Sequence, residues 1–136
     1  MILETFSRRG YVVRETGPVY YTNNMDNTVK WFAETLGWYY EIDERDAGGK
    51  GLYGCVYDLP NEIEVLHIAP FTGIHMFYGE PQGGIAAFMK VEGIERLHSY
   101  VTGKGWTDIT PVEVQPWGAK LCRITTPDNY ILQFFE

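Results

Sequence analysis

Three histidines, two cysteines and two serines bound the side-chain chemistry open to these 136 residues. A serine hydrolase carries its nucleophile on a sharp strand-to-helix turn. Ser7 follows the arginine-bearing start MILETFSRRG and Ser99 sits inside a helical pattern, so neither qualifies. Cys55 and Cys122 stand singly in apolar, strand-like surroundings with no C-x-x-C spacing, which rules out a zinc ribbon or a dithiol redox site. They read as reduced, buried thiols of a cytoplasmic protein. His75 lies in IHMFYG on the face of Phe77, opposite Met76 and Tyr78. If that face lines a cavity, His75 is the catalytic candidate, since imidazole titrates near neutrality and can act as a general base. The competing reading is a hydrogen-bonded histidine on a half-buried strand. In IEVLHI, His67 alternates with Ile63 and Val65 while Glu62 and Glu64 take the other face, so a Glu64/His67 metal pair points to opposite sides of its strand. His98 falls beside a helix stripe and reads as a structural surface residue.

Several other residues are candidates for holding a ligand. Gln133 shares a face with Ile131 and Phe135 in ILQFFE. A lone amide among cavity-facing hydrophobic residues can orient a polar group of a ligand, or it can be a satisfied core amide. Trp117, after Pro116, stands at a turn where its ring can stack on a flat ligand or simply pack the turn. Tyr21 and Phe88 are candidate cavity walls. The glycine-rich GGKG at 48–51 has no Walker pattern and no helix start behind it, so it reads as a flexible loop rather than a phosphate cradle. The runs EIDERD (41–46) and NEIE (61–64) read as solvated strand edges and turns, or as a lure for a cationic ligand. Glu136 reads as a solvated carboxylate rather than a coordinating one. A net charge of -7 argues against a nucleic-acid partner, which demands clustered lysine and arginine.

Positioning these side chains requires a compact framework. The composition, 45% hydrophobic and 21% charged, is that of a globular chain. The longest uninterrupted apolar run is Ile85 to Met89, far short of a membrane span, and the polar, arginine-bearing start is unlike a secretory signal. A helix is expected over MDNTVKWFAETLG, where Met25, Val29, Phe32, Ala33 and Leu36 form one stripe, Asn24 or Asp26 caps the start and Gly37 ends it. A second is expected over GIERLHSYVTGKG, with Ile94, Leu97, Tyr100 and Val101 on one face and Gly103 or Gly105 at the stop. Shifting one helix by 68 residues lays Val29 on Leu97, Gly37 on Gly105 and Trp38 on Trp106, and lays VYYTN (19–23) on AFMKV (87–91). The chain therefore reads as an internal duplication of a strand-helix-strands unit. Further strands are expected at 38–44, 52–59, 63–68, 74–79, 106–110, 119–125 and 131–136, with Asn129 suited to a left-handed turn position.

The segments NMDNTVKWFAETLGW, GGIAAFMKVEGIERLHSYVTGKGW and PWGAKLCRITTPDNYILQFFE resemble, respectively, the first helix, the second-module opening and the closing hairpin of the vicinal oxygen chelate superfamily. That family includes glyoxalase I, bleomycin-resistance proteins, fosfomycin-resistance proteins and extradiol dioxygenases, and the resemblance covers residues 17–136. It implies an α+β fold in which two tandem βαβββ modules, about 17–79 and about 84–136, curl mixed sheets around a shared cavity within one domain over 1–136. It also implies a homodimer that takes a small organic molecule as partner.

In the metal-dependent members, four side chains from the first and last strands of each module hold a divalent ion. Here those positions land on Gly17, Ala86 and Gln133, with Glu64 or His75 as the fourth. Gly17 and Ala86 carry no donor, so the expectation is a protein without the full metal site and with no cofactor, which sequesters a small organic ligand in the inter-module cavity or transforms it with His75 as the base, with Gln133, Trp117, Tyr21 and Phe88 around the ligand. The alternative is a metal-dependent lyase, isomerase or dioxygenase with displaced ligands such as His67, His75 and a carboxylate. Closure of the modules within a chain and closure across a dimer use the same strands and differ only in how the linker around 80–84 runs.

Overall fold

The structure is a computed structural model that describes residues 2–13, 16–59 and 72–136, with backbone alone at 2, 3, 5 and 6. A short helix α1 (Ile2–Arg9) precedes the first sheet and was not marked by any pattern in the sequence. The first sheet contains β1 (Val19–Thr22), β2 (Tyr39–Arg45), β3 (Gly51–Tyr57) and β4 (Gly73–Tyr78), in the order β1-β4-β3-β2. The second contains β5 (Gly84–Lys90), β6 (Glu113–Val114), β7 (Lys120–Thr125) and β8 (Tyr130–Phe135), in the order β5-β8-β7-β6. In each sheet the first strand runs parallel to the last, and a helix joins the first strand to the second. The two sheets thus repeat one βαβββ plan, as expected. The strand anticipated at 106–110 is reduced to a single bridge from Ile109 to Ile124. Pro111 and Pro116 bracket the two-residue β6 and offer no N–H to a ladder. The strand expected at 63–68, with His67 and Glu64, lies outside the described residues, as does the NEIE run.

Helix α2 (Met25–Trp31) buries Met25, Thr28, Val29 and Trp31, and the Asn24 side chain accepts the Asn27 N–H at 3.2 Å to cap it. It continues into a π turn over Phe32–Leu36 and stops at Gly37, whose φ of 74° suits glycine. Helix α3 (Ile94–Gly103) starts after Gly93 and closes at Gly105, with φ 89°. The closing bonds differ by one residue: Trp38 N reaches back to Phe32 O, whereas Trp106 N reaches back to Val101 O. Twelve residues separate Met25 from Gly37, but eleven separate Ile94 from Gly105. The wider π turn absorbs the extra residue.

The repeat is therefore 68 residues at the Gly-Trp pair but 69 through the helix start and the strand before it. On a strand, that single step exchanges the two faces. An offset of 68 would lay Tyr20, which is fully buried, on Phe88, which is 61% exposed. An offset of 69 matches Val19 with Phe88, each six residues before its helix.

Both sheets press one face onto the helices, and one buried cluster unites them: Tyr20, Ile74 and Met76 from the first, Cys122, Leu132 and Phe134 from the second, Phe32 and Val101 from the helices. Each such side chain contributes roughly 1.5–3 kcal/mol by leaving water. Trp31 and Trp106 meet edge to face at 5.3 Å. Polar groups cross the same seam. The Tyr20 hydroxyl donates to Asp128 at 2.7 Å and lies 2.7 Å from the Thr126 hydroxyl, and Thr28 donates to the same Asp128 oxygen at 2.8 Å. The Tyr130 hydroxyl accepts from Tyr21 N and Gln82 N. Burial, first among the causes, drives the Tyr20 pKa far above its ordinary value. Asn129 turns the β7–β8 hairpin at φ 62°, as anticipated. Within one chain the modules are thus joined back to back, and the opposite face of each sheet points outward.

Candidate functional site

The outward face of the first sheet carries a row of residues in register: Glu41 opposite Cys55, Cys55 opposite His75, and His75 opposite Val19. Paired residues project to the same side. His75 is half-buried, and its Nδ1 lies 3.0 Å from the Tyr53 hydroxyl with the two rings nearly parallel. Gly17 passes close beside it, so that a β-carbon at Gly17 would sit 3.4 Å from His75 Cδ2 and 3.7 Å from Nε2. A recess of about 350 Å³ is lined by Thr16, Gly17, Val19, Tyr53, His75 and Phe77. Tyr21 flanks it with its ring against Phe77.

The outward face of the second sheet has a matching row, with Phe88 opposite Gln133 and Gln133 opposite Arg123. Arg123 Nε donates to Gln133 Oε1 at 3.0 Å. Phe88 stacks on Phe135 at 4.4 Å with an interplanar angle of 11°. Trp117, at the β6–β7 turn, is 73% exposed and so does not fill the turn.

The five residues singled out from the sequence do not converge within one chain. His75 and Tyr21 stand on one outward face, Gln133 and Phe88 on the other, and Trp117 at a hairpin tip. A cleft of about 540 Å³ does open where the modules meet, between Pro18, Leu36, Trp38 and Gly73 on one side and Phe88 and Phe134 on the other. Of the five, Phe88 lines it. Two neighbours escaped the sequence reading. Tyr53 alternates with Cys55 on β3, and Arg123 is the one charged residue inside KLCRIT after its first position. Those alternations were visible signals, but their partners were not.

Of the two candidates for the fourth position that the family resemblance implies, Glu64 lies outside the described residues and His75 has a counterpart in the other sheet. His75 opposite Val19 mirrors Gln133 opposite Phe88, so the quartet reads Gly17, His75, Ala86 and Gln133. Two of the four offer no donor atom. Beside Gln133, the Arg123 guanidinium opposes a cation, so these residues do not fit a divalent ion. Elsewhere, donor atoms of Glu41, Asp43 and Cys55 lie within 4.8 Å of one another on β2 and β3.

Three minor candidates also find their places. Glu136 is not merely solvated: its carboxylate accepts Gly93 N and Ile94 N at 3.0 Å each and caps α3, and those bonds hold its pKa below the ordinary value. His98 is half-buried on α3. Burial pushes the Cys122 thiol up to about 11. Among the described residues no helix is long and apolar enough to cross a membrane.

Comparison with known proteins agrees with this architecture. Residues 17–79 match the family model for the bleomycin resistance protein domain. A glyoxalase-related enzyme from Clostridium phytofermentans is 57% identical, aligns over 94% of this chain and 98% of its own, and superposes with a TM-score of 0.86. A glyoxalase/bleomycin resistance protein/dioxygenase superfamily member from Sphaerobacter thermophilus shares the fold at 16% identity, over 92% of this chain and 98% of its own, with a TM-score of 0.71. A bleomycin-binding protein from Streptomyces verticillus, solved with copper(II)-bleomycin, does so at 18% identity, over 90% and 97%, with a TM-score of 0.62. No curated protein sequence matches the chain. With its paired βαβββ modules and a 57% identical relative aligned over nearly its whole length, the chain belongs to the glyoxalase/bleomycin resistance protein superfamily, the vicinal oxygen chelate group.

Proposed function

We propose that this protein is a glyoxalase-related binder of a small organic molecule. In this reading a homodimer sets the outward face of the first module (17–79) in one chain against that of the second module (84–136) in another. The observation that carries the reading is the exposure of large apolar side chains on both outward faces: Val19, Tyr21 and Phe77 on the first, Ile85 and Phe88 on the second. Apolar patches of this kind mark surfaces that meet a partner or a ligand. His75 then serves as the general base or a direct ligand contact, Gln133 anchors a polar group, Tyr21 and Phe88 form walls, and Trp117 stacks on a flat ring. The bleomycin-binding relatives support a small organic ligand. Binding in this form needs no ion at the four strand positions. Two buried cysteines without C-x-x-C spacing support a cytoplasmic setting, and one buried cluster drawn from both sheets supports a single domain.

Light scattering after size exclusion tests the assembly: a dimer is expected, and a strict monomer would remove the shared cavity. A thermal-shift screen against glycopeptide drugs, thiol conjugates and aromatic metabolites tests ligand binding, because stabilisation follows occupancy. A second reading, a metal-dependent lyase, isomerase or dioxygenase with displaced ligands, draws on the Glu41, Asp43 and Cys55 group. Elemental analysis separates the two. Stoichiometric zinc, manganese or iron that disappears in Cys55→Ser would favour the second.

A further inference from the structure

We infer that the position where metal-dependent members of the superfamily hold an ion is, in this chain, built to hold an anionic oxygen group, and that the ligand carries a carboxylate there. The inference rests on the small-molecule reading above and adds the chemistry of the group that is recognised.

Two of the quartet positions are bare of polar side-chain atoms, and the polar ones have donors beside them. Gly17 and Ala86 supply no side-chain oxygen or nitrogen, and their small size leaves room. At Gly17 a single added carbon would already touch the His75 ring at 3.4 Å. At Gln133 the amide oxygen is taken by Arg123 Nε at 3.0 Å. Arginine has donors only, so it draws the amide oxygen to itself and turns the NH₂ group away as a donor. Arg123 stands at an exposed strand position, and its guanidinium has further N–H groups beyond the one given to the amide oxygen. Two kinds of donor, one of them permanently charged, therefore stand where a cation would have needed acceptors.

On the other half of the site, the Tyr53 hydroxyl stands 3.0 Å from His75 Nδ1. When that hydroxyl donates, the proton of the neutral ring resides on Nε2, the edge that borders the space over Gly17. In that tautomer Nε2 is a donor atom too, while the charged donor of the site is Arg123 in the second module. In the metal-dependent plan an ion binds ligand oxygens and protein carboxylates together. Here the protein supplies the donors directly, and a carboxylate oxygen takes the place between them. The stacked Phe88 and Phe135 pair next to Gln133, and the rings of Tyr21, Tyr53 and Phe77 around His75, suit a flat apolar body attached to that carboxylate. The overall charge of -7 gives an anion no long-range attraction, so the preference has to come from these local donors.

The test uses matched pairs in thermal-shift and calorimetric titrations of the full chain: benzoate with benzamide, 2-naphthoate with 2-naphthamide, and indole-3-acetate with indole-3-acetamide. The carboxylates are expected to bind roughly tenfold or more tightly than their amides, the worth of one charge-assisted hydrogen bond. That preference should vanish in Arg123→Met and be partly kept in Arg123→Lys. Equal binding of acid and amide by the wild-type protein, or a preference that survives Arg123→Met, overturns the inference and leaves small-molecule binding standing. The wild-type comparison decides even if Arg123→Met fails to fold. If no carboxylate of the panel binds while the wider screen finds a ligand, the inference falls and small-molecule binding stands; if neither finds one, both fall.

Discussion

His75 and Gln133 occupy the same place in the two halves of the molecule. Each stands on the last strand of its sheet, directly across from a first-strand residue, Val19 or Phe88, that precedes its helix by six positions. Each is also engaged by a neighbouring side chain, Tyr53 or Arg123, on the adjacent strand. The two sheets thus repeat one pairing geometry, and in each the last-strand side chain meets a polar partner on the adjacent strand.

The cap made by Glu136 sets a pH dependence. Its pKa is lowered in the folded state by the N–H groups of Ile94 and then Gly93, so it stabilises the fold above the unfolded carboxylate value, about 4.3. That contribution is lost as pH falls through the lowered folded value. Thermal melts should show Glu136→Gln less stable than wild type at pH 7, with the gap closing below about pH 4. A gap that stays constant down to pH 3 would mean the carboxylate charge is irrelevant to α3.

Tyr20→Phe removes the hydroxyl that links the modules, leaving Asp128 short of a donor and the Thr126 hydroxyl short of an acceptor. The expected cost is about 1–3 kcal/mol in urea unfolding. Because the ring itself remains packed against Phe32 and Tyr130, little of that loss is apolar.

Two glycines should differ in their tolerance of alanine. At Gly54 an added β-carbon collides with the Glu41 carbonyl oxygen on the neighbouring strand, and backbone cannot swing aside. At Gly37 the left-handed φ is strained for alanine, but the clash is with the hydroxyl end of the part-exposed Tyr100 ring, which can move. Gly54→Ala is expected to cost about 3 kcal/mol or more and Gly37→Ala about 1–2 kcal/mol. Chemical denaturation of the two variants side by side gives the order.

Cys122 is fully buried and its thiol is pushed up to about 11, so it stays protonated and shielded at pH 8. In a Cys55→Ser background, an aromatic disulfide reagent should label no thiol until denaturant is added. Fast native labelling would show that the inner face of β7 opens.

Trp117 makes a sharper functional case because it is so exposed. Trp117→Ala should leave stability within about 0.5 kcal/mol of wild type. It should weaken any ligand found by thermal shift at least severalfold, as loss of an aromatic stacking partner would. A ligand bound equally well by both proteins would place Trp117 outside the site.

Much of this molecule was legible in local chemistry. The apolar stripe from Met25 to Leu36, the stops at Gly37 and Gly105, the left-handed Asn129 and the alternation in ILQFFE all depend on residues within a turn or two of each other. Periodicity and turn preference report such features faithfully. The duplication was readable for the same reason, through its repeated Gly-Trp ending.

Tertiary structure decided what depends on distant partners. The extra residue in the π turn leaves no trace in an apolar pattern, yet it moves the strand repeat from 68 to 69 and so exchanges the face on which each equivalent residue stands. Only strand pairing could show that His75 is the counterpart of Gln133, that Arg123 claims the amide oxygen, and that Glu136 reaches the start of α3. A strand residue acquires its neighbours through hydrogen bonds to strands far along the chain. The sequence could therefore supply the side chains of the site, but the sheets chose which of them face one another.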